Sequence, residues 1–458
     1  MKSYDLVIVG GGPGGYTSAL RAAKLGLSVA LAEKDHLGGT CLNRGCIPSK
    51  TLLHGARIVD MIEKGKRWGI ETAAPLIHFD QMRKHKDAVI QRLRTGIDSM
   101  LKAGKIDQYR GHGTVHPDLT VTVRSQGEET AIRGKHILLA TGSQPSLPPI
   151  PGLEQTEVRT SDTIFDIDDL PESIVIVGGG VIGLEFADIF SSLRVKVTVV
   201  EMAERILATE DADAAKVVEK HLKSKGVKFF TSAKVASMRQ DNGRKIVSVQ
   251  TADGTVELAA AEILVAVGRR PNLDGLEPLG LRMNGPFVAV DEYLQTNLPN
   301  VYAVGDLIGG WQLAHVATAE GFRAVDNIAK KKEKMDYRAV PRCLYTSPEI
   351  ASVGLGEQAA RERGYDVQTA TFPLAGIGKA VAVDESDGFM KLIADRKYGE
   401  ILGVVLVGPH VTEMINEASA YMVLEGTVEE MARMIHPHPT ISEIFFEAAD
   451  LWLKSSMP

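Results

Sequence analysis

The sequence predicts an α/β protein that contains one βαβ unit twice and ends in a separate α+β region. An apolar strand, a glycine-rich turn and a helical pattern follow one another near residue 4 and again near residue 174. A similar strand closes each copy, at residues 136–143 and 262–270. After about residue 340 the pattern changes to apolar strands near 389–394 and 401–407 and helical periodicity near 413–422 and 441–453.

The glycines of the two copies have the spacing of a dinucleotide-binding turn. They are Gly10, Gly12 and Gly15 in the first copy and Gly178, Gly180 and Gly183 in the second. In such a Rossmann-like unit the first glycine allows a tight turn, the second lets the backbone meet a pyrophosphate, and the third lets helix and strand pack closely. The amino terminus of the helix then offers unpaired N–H groups to the anion.

An acidic residue ends the second strand of each copy. Glu33 lies 23 positions after Gly10, and Glu201 lies 23 positions after Gly178. A carboxylate at this place accepts hydrogen bonds from ribose hydroxyls. One glycine motif alone is weak evidence, but two complete copies in register predict two bound dinucleotides.

Composition limits the classes of function. With 458 residues the chain is too long for one core, and three to four domains are expected. The net charge is −6 and the basic residues are dispersed, which argues against a nucleic-acid partner. No window reaches the ~18 apolar residues of a membrane span, and the amino terminus lacks the pattern of a signal peptide. With only three cysteines, two of them close together, we expect a cytoplasmic protein.

Cys41 and Cys46 directly follow the first copy, in the segment 38–50, GGTCLNRGCIPSK. A metal site would need further ligands, and neither a second cysteine pair nor paired histidines accompany them, so no metal is expected. An alternative is that both cysteines are unreactive and serve only as small apolar side chains in the packing. The position beside a nucleotide unit favours a redox pair.

The spacing of the two cysteines constrains the local backbone. Residues five apart on a regular helix lie about 8–9 Å apart at Cα, whereas a disulfide tolerates at most ~7 Å. An irregular turn at Gly45 is therefore predicted. A helix is expected to begin near Ile47 or Pro48, because proline suits a first helical turn. Cys46 would then lie at a helix amino terminus, which lowers a thiol pKa.

Together with both glycine motifs and the segment 436–443, HPHPTISE, the cysteine segment resembles the dihydrolipoamide dehydrogenases, homodimeric flavoproteins of the pyridine nucleotide–disulfide oxidoreductase family. The resemblance covers essentially the whole chain. It implies an FAD-binding domain at 1–147, an NAD-binding domain at 148–270, a central domain at 271–339 that completes the FAD site, and a dimerisation domain at 340–458. The implied fold is two Rossmann-like domains plus a carboxyl-terminal α+β domain.

The resemblance also implies roles in catalysis. Cys41 would be the interchange thiol, and Cys46 the thiol that contacts the flavin. Lys50 would lie near the flavin and pair with Glu185.

An acid–base group is implied in the carboxyl-terminal segment. Thiol–disulfide exchange proceeds through the thiolate, so a base with a pKa near neutrality must take the proton of the dithiol. His438 would do so in the site of the partner subunit, oriented by Glu443. From the residues alone, an equal alternative to a catalytic role is that His438 is a surface histidine near a helix start and that Glu443 interacts with the positive end of the helix dipole. His436 and Cys343 are expected to be structural.

The cofactor-binding residues expected from the motifs and the resemblance extend over the first three domains. They are Gly10, Gly12, Gly15, Glu33, Lys34, Thr40, Lys50, Gly113, Thr141, Gly142, Ser143, Gly178, Gly180, Val181, Ile182, Gly183, Glu185, Glu201, Gly268, Asp306, Leu313, Ala314 and His315. The family often has methionine two residues before Ala314, where this chain has Gln312.

The two cofactors are assigned by position and charge. The first copy precedes the cysteines and should hold FAD, so the second should hold the nicotinamide dinucleotide. Glu201 would repel a 2′-phosphate, which favours NAD, although nearby Arg205 leaves NADP open. The expected partner is the lipoyl-bearing subunit of a 2-oxo acid dehydrogenase complex or of the glycine cleavage system. The alternative is a related FAD disulfide reductase acting on another disulfide or dithiol.

Overall fold

The computed structural model describes residues 1–456 of the chain. The elements of the first 145 residues are β1 (Lys2–Val9), α1 (Pro13–Lys24), β2 (Val29–Glu33), α2 (Gly39–Arg44), α3 (Cys46–Lys64), α4 (Phe79–Ala103), β3 (Asp107–Arg110), β4 (His112–Val115), β5 (Thr120–Ser125), β6 (Glu128–Leu139) and β7 (Ser143–Pro145). The next elements are β8 (Arg159–Thr160), β9 (Ser173–Val177), α5 (Val181–Ser192), β10 (Lys196–Val200), α6 (Ala212–Ser224), β11 (Lys228–Phe230), β12 (Lys234–Asp241), β13 (Arg244–Thr251), β14 (Gly254–Ala260), β15 (Glu262–Val265) and β16 (Arg269–Pro271).

The remaining elements complete the first sheet and form the carboxyl-terminal region. They are β17 (Met283–Asn284), β18 (Phe287–Val288), β19 (Val301–Ala303), α7 (Ala314–Ile328), β20 (Arg342–Leu344), β21 (Glu349–Gly354), α8 (Glu357–Glu362), β22 (Val367–Pro373), α9 (Gly378–Ala382), β23 (Phe389–Asp395), β24 (Ile401–Gly408), α10 (Val411–Val423), α11 (Val428–Arg433) and α12 (Ile444–Ser456). Short 3₁₀ turns lie at Gly65–Trp68, Ile164–Asp166, Glu277–Leu279, Gly305–Ile308, Leu374–Gly376 and Ile441–Glu443.

The two predicted copies fold into parallel sheets of the same strand order. In the first sheet the order is β3-β2-β1-β6, with β19 on the far side of β6. In the second it is β11-β10-β9-β15-β8. In both sheets the glycine turn follows the central strand, β1 or β9. This is the carboxyl edge where open α/β sheets bind ligands.

The internal repeat is more extensive than the glycine motifs show. Each copy also contains a three-stranded antiparallel unit, β4-β5-β6 in the first and β12-β13-β14 in the second. The strand predicted from residue 136 therefore begins at Glu128, because its first half pairs with β5. The paired strands β7 and β16 connect the two copies at the proline-rich crossing.

Apolar strands form the cores because both faces of each parallel sheet are covered, one by helices and the other by the antiparallel unit of the same copy. Leu6, Val7 and Ile8 of β1 are fully buried. In the carboxyl-terminal region the sheet order is β20-β21-β24-β23-β22, all antiparallel. The fully buried Phe445 of α12 packs in its core. The α+β character predicted after residue 340 is confirmed, while the domain limits at 147, 270 and 339 stay predictions.

Within the described residues 1–456, no helix combines the length and the apolar character needed to cross a bilayer.

Candidate active site

The third glycine of each motif lies where no side chain fits. A Cβ atom on Gly15 would lie 1.8 Å from the carbonyl oxygen of Gly10, and one on Gly183 would lie 2.0 Å from that of Gly178. The first glycines of the motifs, Gly10 and Gly178, have φ values of 106° and 113°, in the region that favours glycine. Each helix therefore packs directly against the turn that precedes it.

The second glycine of each motif borders open space. A Cβ atom on Gly180 would meet no atom within 4 Å, and one on Gly12 would meet only Cα of Gly39, at 3.8 Å. Both residues are helix N-caps, and no side chain caps the N–H groups of the following turn. Both turns therefore have the shape and the free donors that a pyrophosphate needs.

Glu33 and Glu201 have the same local contacts. Each carboxylate accepts one hydrogen bond, of 2.6 Å, from the N–H of the residue after the first glycine. Each accepts another, of 2.7 Å, from the N–H two residues after the glutamate itself. The carboxylates thus join the glycine turn to the end of the second strand, and their contact with ribose stays a prediction.

The cysteine segment consists of two helices separated by a single residue. α2 ends at Arg44, Gly45 has φ −143° and ψ −110°, and α3 begins at Cys46. The interruption lies where the disulfide geometry requires it, and the helix begins one residue before the expected position. The thiols of Cys41 and Cys46 are free and hydrogen-bonded to each other.

The electrostatics of the pair distinguish the two sulfurs. The hydrogen bond from Cys41 lowers the pKa of Cys46, burial opposes this, and the charge of Lys50 lowers it further. The same hydrogen bond, together with burial, raises the pKa of Cys41. The predicted lowering of the Cys46 pKa is present, but its largest cause is the neighbouring thiol rather than the helix terminus.

An ion pair beside the cysteines joins the two copies. Lys50, one helical turn after Cys46, donates to both oxygens of Glu185 on α5, at 2.9 and 2.8 Å. The Glu185 side chain is 5% exposed. It also accepts a hydrogen bond of 3.2 Å from the backbone N–H of Tyr345.

A cavity of about 1410 Å³ contains both cysteines and this ion pair in its wall. Its volume exceeds the ~300–1,000 Å³ of a typical small-molecule site. The other predicted residues in the wall are Gly10, Gly12, Glu33, Lys34, Thr40, Gly113, Thr141, Gly142, Ser143, Val181, Ile182, Gly268, Asp306, Leu313, Ala314 and His315. The predicted residues outside it are Gly15, Gly178, Gly180, Gly183, Glu201, His438 and Glu443.

The part of the cavity wall that is expected to bind FAD suits a polar ligand. Ser143 Oγ donates to Asp306 Oδ2 at 2.5 Å, and Thr141 Oγ1 donates to the carbonyl of Asn272 at 2.6 Å. Gln312 Nε2, in the same wall, is buried without a hydrogen-bond partner. An unpaired buried donor costs about 1–3 kcal/mol, so an acceptor atom of a bound dinucleotide fits here. Within residues 1–456 no cluster of three metal-ligating side chains occurs.

His438 and Glu443 form a hydrogen-bonded pair on the surface. His438 Nδ1 lies 2.9 Å from Glu443 Oε1. The second oxygen of Glu443 accepts the backbone N–H of Thr440, also at 2.9 Å, which caps the turn at Ile441–Glu443. The hydrogen bond with His438 lowers the pKa of Glu443. One carboxylate therefore contacts the histidine and also caps the turn, and the acid–base role of His438 stays a prediction.

Arg269 is a residue of the site that the sequence analysis did not assign. Its guanidinium donates to Ser143 Oγ at 2.8 Å, to Asp162 Oδ1 at 2.8 Å and to Ser161 Oγ at 3.0 Å. It thus ties the second copy to the serine that holds Asp306. Its place directly after Gly268, at a strand end, was the available signal.

The two residues expected to be structural lie in different places. His436 Nε2 contacts Glu417 Oε1 at 2.9 Å, and its ring stacks on Phe445 with centroids 6.2 Å apart. Cys343, in contrast, lies in the cavity wall, and burial raises its pKa to about 11.

Arg205, the residue that kept NADP as an alternative cofactor, is hydrogen-bonded to its own loop. Its guanidinium donates to the carbonyls of Leu207 at 2.6 Å, Ala208 at 3.0 Å and Glu210 at 2.7 Å. Those bonds would have to break before the side chain could bind a 2′-phosphate. The geometry therefore favours NAD.

Comparison with known proteins identifies the family. The family described as pyridine nucleotide-disulphide oxidoreductase matches residues 4–321, and its dimerisation domain matches residues 340–449. The chain belongs to this family. It is 45% identical to a dihydrolipoyl dehydrogenase of Bacillus subtilis, with 97% of each chain covered. It is 38% identical to that of Chlamydia trachomatis, over 98% of this chain and 96% of the relative.

Solved structures show the same architecture. LpdA from Mycobacterium tuberculosis superimposes with a TM-score of 0.90 at 28% identity, over 98% of this chain and 99% of the other. The Cu(II) complex of the HOCl-induced flavoprotein disulfide reductase RclA from Escherichia coli gives 0.88 at 32% identity, over 98% and 100%. The predicted fold class is confirmed: FAD and NAD domains followed by a dimerisation domain. The protein is a flavoprotein disulfide oxidoreductase whose cofactors are FAD and NAD.

Proposed function

We propose that this oxidoreductase is a dihydrolipoyl dehydrogenase, which oxidises protein-bound dihydrolipoamide to lipoamide and reduces NAD⁺ to NADH. The observation that carries the proposal is the Cys41–Cys46 pair in the wall of a cavity that also contains the Lys50–Glu185 ion pair. The names of the relatives support dihydrolipoamide as the substrate.

The cysteines exchange with the substrate in two steps. A substrate thiolate attacks Sγ of Cys41 in the Cys41–Cys46 disulfide, and Cys46 leaves as a thiolate. The second substrate thiolate then attacks the substrate sulfur bound to Cys41, which closes the lipoamide disulfide and releases Cys41. Two electrons have then passed from the dithiol to the cysteine pair. FAD, when bound, supplies the carrier between these thiols and NAD⁺.

Both attacks need a base, and we assign this role to His438. With Nδ1 bonded to Glu443, the ring has Nε2 free to take the proton of a substrate thiol. His438 is not in the cavity wall of its own chain. The proposed base is therefore His438 of the partner subunit.

Three strongly exposed aliphatic side chains in the carboxyl-terminal region support a homodimer. Ile435 is 93% exposed, Leu424 is 79% exposed and Val423 is 66% exposed. Large aliphatic side chains are usually buried, and a partner surface that covers them removes their apolar area from water. A second copy of the chain covers them in the proposed dimer, as the dimerisation-domain match supports. The lipoyl-bearing subunit of a 2-oxo acid dehydrogenase complex or glycine cleavage system is the proposed substrate carrier, and cytoplasmic localisation stays a prediction.

A steady-state assay tests the proposal. We expect turnover of dihydrolipoamide with NAD⁺ and much slower turnover with NADP⁺, because Glu201 is acidic and Arg205 is engaged. The variant Cys41→Ser should keep bound FAD and lose this activity. Absence of dihydrolipoamide turnover with either nucleotide would remove the substrate assignment.

Mixing two inactive variants tests the shared site. Cys41→Ser and His438→Gln chains, unfolded and refolded together, form hybrid dimers with one intact site made of Cys41 from one chain and His438 from the other. Random pairing should restore about a quarter of the parent activity. Activity no greater than that of the separate variants would contradict a site shared between subunits.

A related FAD disulfide reductase acting on another disulfide or dithiol is the second candidate. The structural likeness to the disulfide reductase RclA favours it. Assays with NADH or NADPH and glutathione disulfide, beside the dihydrolipoamide assay, distinguish the two candidates.

A further inference from the structure

Tyr345 follows β20 in the carboxyl-terminal region, and it lies in the cavity wall beside the Lys50–Glu185 ion pair. It contacts both members of the pair. Its backbone N–H donates to Glu185 Oε1 at 3.2 Å. Its ring faces the ammonium group, since Lys50 Nζ lies 4.4 Å from the ring centroid. The cation therefore lies between a carboxylate and an aromatic face.

The aromatic face adds to the attraction that holds the ammonium group. A cation over a tyrosine ring is drawn to the negative face of the π system. Burial raises the pKa of Tyr345, so the ring acts as a neutral face. Glu185 is almost fully buried and Lys50 is about one-third exposed, so the ring also covers the cation on a side where water could otherwise enter.

The position of this cation matters for Cys46. The charged and titratable groups that face the Cys46 thiol are Cys41 on α2, Lys50 on α3, Glu185 on α5 and Tyr345 after β20. Lys50 lowers the pKa of Cys46 and Glu185 raises it. If the Lys50 ammonium group moved away from the thiol, its charge would compensate less of the Glu185 charge. The thiolate of Cys46 would then be harder to form.

We propose that Tyr345 is a positioning residue for the thiol chemistry: its ring and its backbone N–H hold Lys50 and Glu185 in the arrangement that stabilises the thiolate of Cys46. The proposal rests on the proposed redox role of Cys46 and goes beyond it. A residue of the dimerisation domain becomes part of the electrostatics of the flavin site in its own chain.

Two substitutions separate the ring from the backbone contact. Y345F keeps the ring and the N–H, whereas Y345L keeps the N–H and loses the ring. The holoenzyme is reduced by two electrons, and alkylation of Cys46 by iodoacetamide is followed against pH by peptide mass spectrometry. The ionisation constant of Cys46 should fall about 2- to 5-fold in Y345L, the range of a cation–π contact. It should stay at the parent value in Y345F.

A second titration uses the long-wavelength absorbance of a thiolate beside oxidised flavin, which should shift to higher pH in Y345L alone. Neither measurement uses dihydrolipoamide. A failure of this proposal is therefore distinct from a failure of the substrate assignment.

Tyr398→Leu is the matched control. Tyr398 is 68% exposed, and Lys397 Nζ lies 4.7 Å from its ring centroid, so the same substitution removes a lysine–tyrosine contact elsewhere. The Cys46 titration should not change in Y398L. If Y345L fails to retain FAD, Y345M replaces it, because methionine fills more of the space and also lacks a ring. The Cys46 titration of Y345M should shift as expected for Y345L. A parent-like titration in the ring-less variant, or a Y345F titration shifted as far as that of Y345L, overturns the proposal.

Discussion

Two alanine substitutions in the second glycine turn should separate ligand binding from folding. Gly180 has φ −81° and ψ −174°, which alanine adopts freely, and its Cβ would meet no atom within 4 Å. Gly180→Ala should therefore keep the stability of the fold, or add about 0.4–1 kcal/mol by restricting the unfolded chain. The new methyl group lies where a pyrophosphate must approach the backbone. Loss of one charged hydrogen bond, about 1.5–3 kcal/mol, should raise the KM for NAD⁺ about 10- to 150-fold.

Gly183→Ala should instead damage the fold. Its Cβ would lie 2.0 Å from the carbonyl oxygen of Gly178, where ordinary contacts begin near 3.4 Å. α5 must therefore move away from β9 by more than 1 Å, and such overpacking costs about 1–3 kcal/mol. The same helix carries Glu185, so the ion pair with Lys50 moves with it.

Three measurements compare the variants: the thermal unfolding midpoint, the FAD bound per chain, and the KM for NAD⁺ at saturating dihydrolipoamide. Gly180→Ala should differ from the parent only in KM, because the first glycine turn is untouched. Gly183→Ala should unfold at a lower temperature. A parent-like KM in the first variant, or parent-like stability in the second, would refute the assignment of the two glycines.

Three further predictions concern buried and catalytic groups. Burial raises the pKa of Glu320 to about 7 from 4.5, so the folded protein retains this proton longer than the unfolded chain does. The free energy of unfolding should fall by about 3 kcal/mol as the pH rises between those values. The unfolding midpoint of Glu320→Gln should decline less over the same pH range than that of the parent. Equal declines would show that Glu320 is not the cause. Lys225 lies 2.8 Å from the partly buried Asp60 and 2.7 Å from the buried Asp188. Lys225→Met should destabilise the protein by about 3–5 kcal/mol, because it leaves the buried Asp188 carboxylate without its cation. Denaturant unfolding measures the free energy of unfolding. The double variant Lys225→Met/Asp60→Asn should lose less stability than Lys225→Met, and an equal or larger loss would contradict this explanation. His438→Gln should lower dihydrolipoamide turnover about 10²- to 10⁴-fold with FAD content unchanged, and near-parent turnover would exclude it as the base.

Much of the fold was predictable because its signals are local. The βαβ copies follow from strands and glycines within about thirty residues of one another, where spacing in the chain decides spacing in the structure. The interruption at Gly45 followed from disulfide geometry applied to two cysteines five positions apart. The resemblance then gave Lys50, Glu185 and His438 as expected partners, and their roles stay predictions.

Other features depended on contacts between distant segments. The contact of Tyr345 with Glu185 and the bonds of Arg269 to Ser143 join residues more than a hundred positions apart. No local pattern determines such contacts, since they arise only when separately folded layers dock. The hydrogen bonds from Arg205 to the carbonyls of its own loop were likewise not predictable, because the residue type alone does not show which acceptors the side chain meets.

The sequence by itself determined the two glycine turns, the position of the cysteine pair and the class of fold, because each is specified by residue types at fixed short spacing. Only the tertiary structure decided how the cysteine sulfurs differ. The pKa of Cys46 depends on the Cys41 thiol, on Lys50 and on Glu185, and the last of these approaches from a helix of the second copy. Electrostatic interactions act through space and depend on burial, so they become defined only after the chain has brought those groups together.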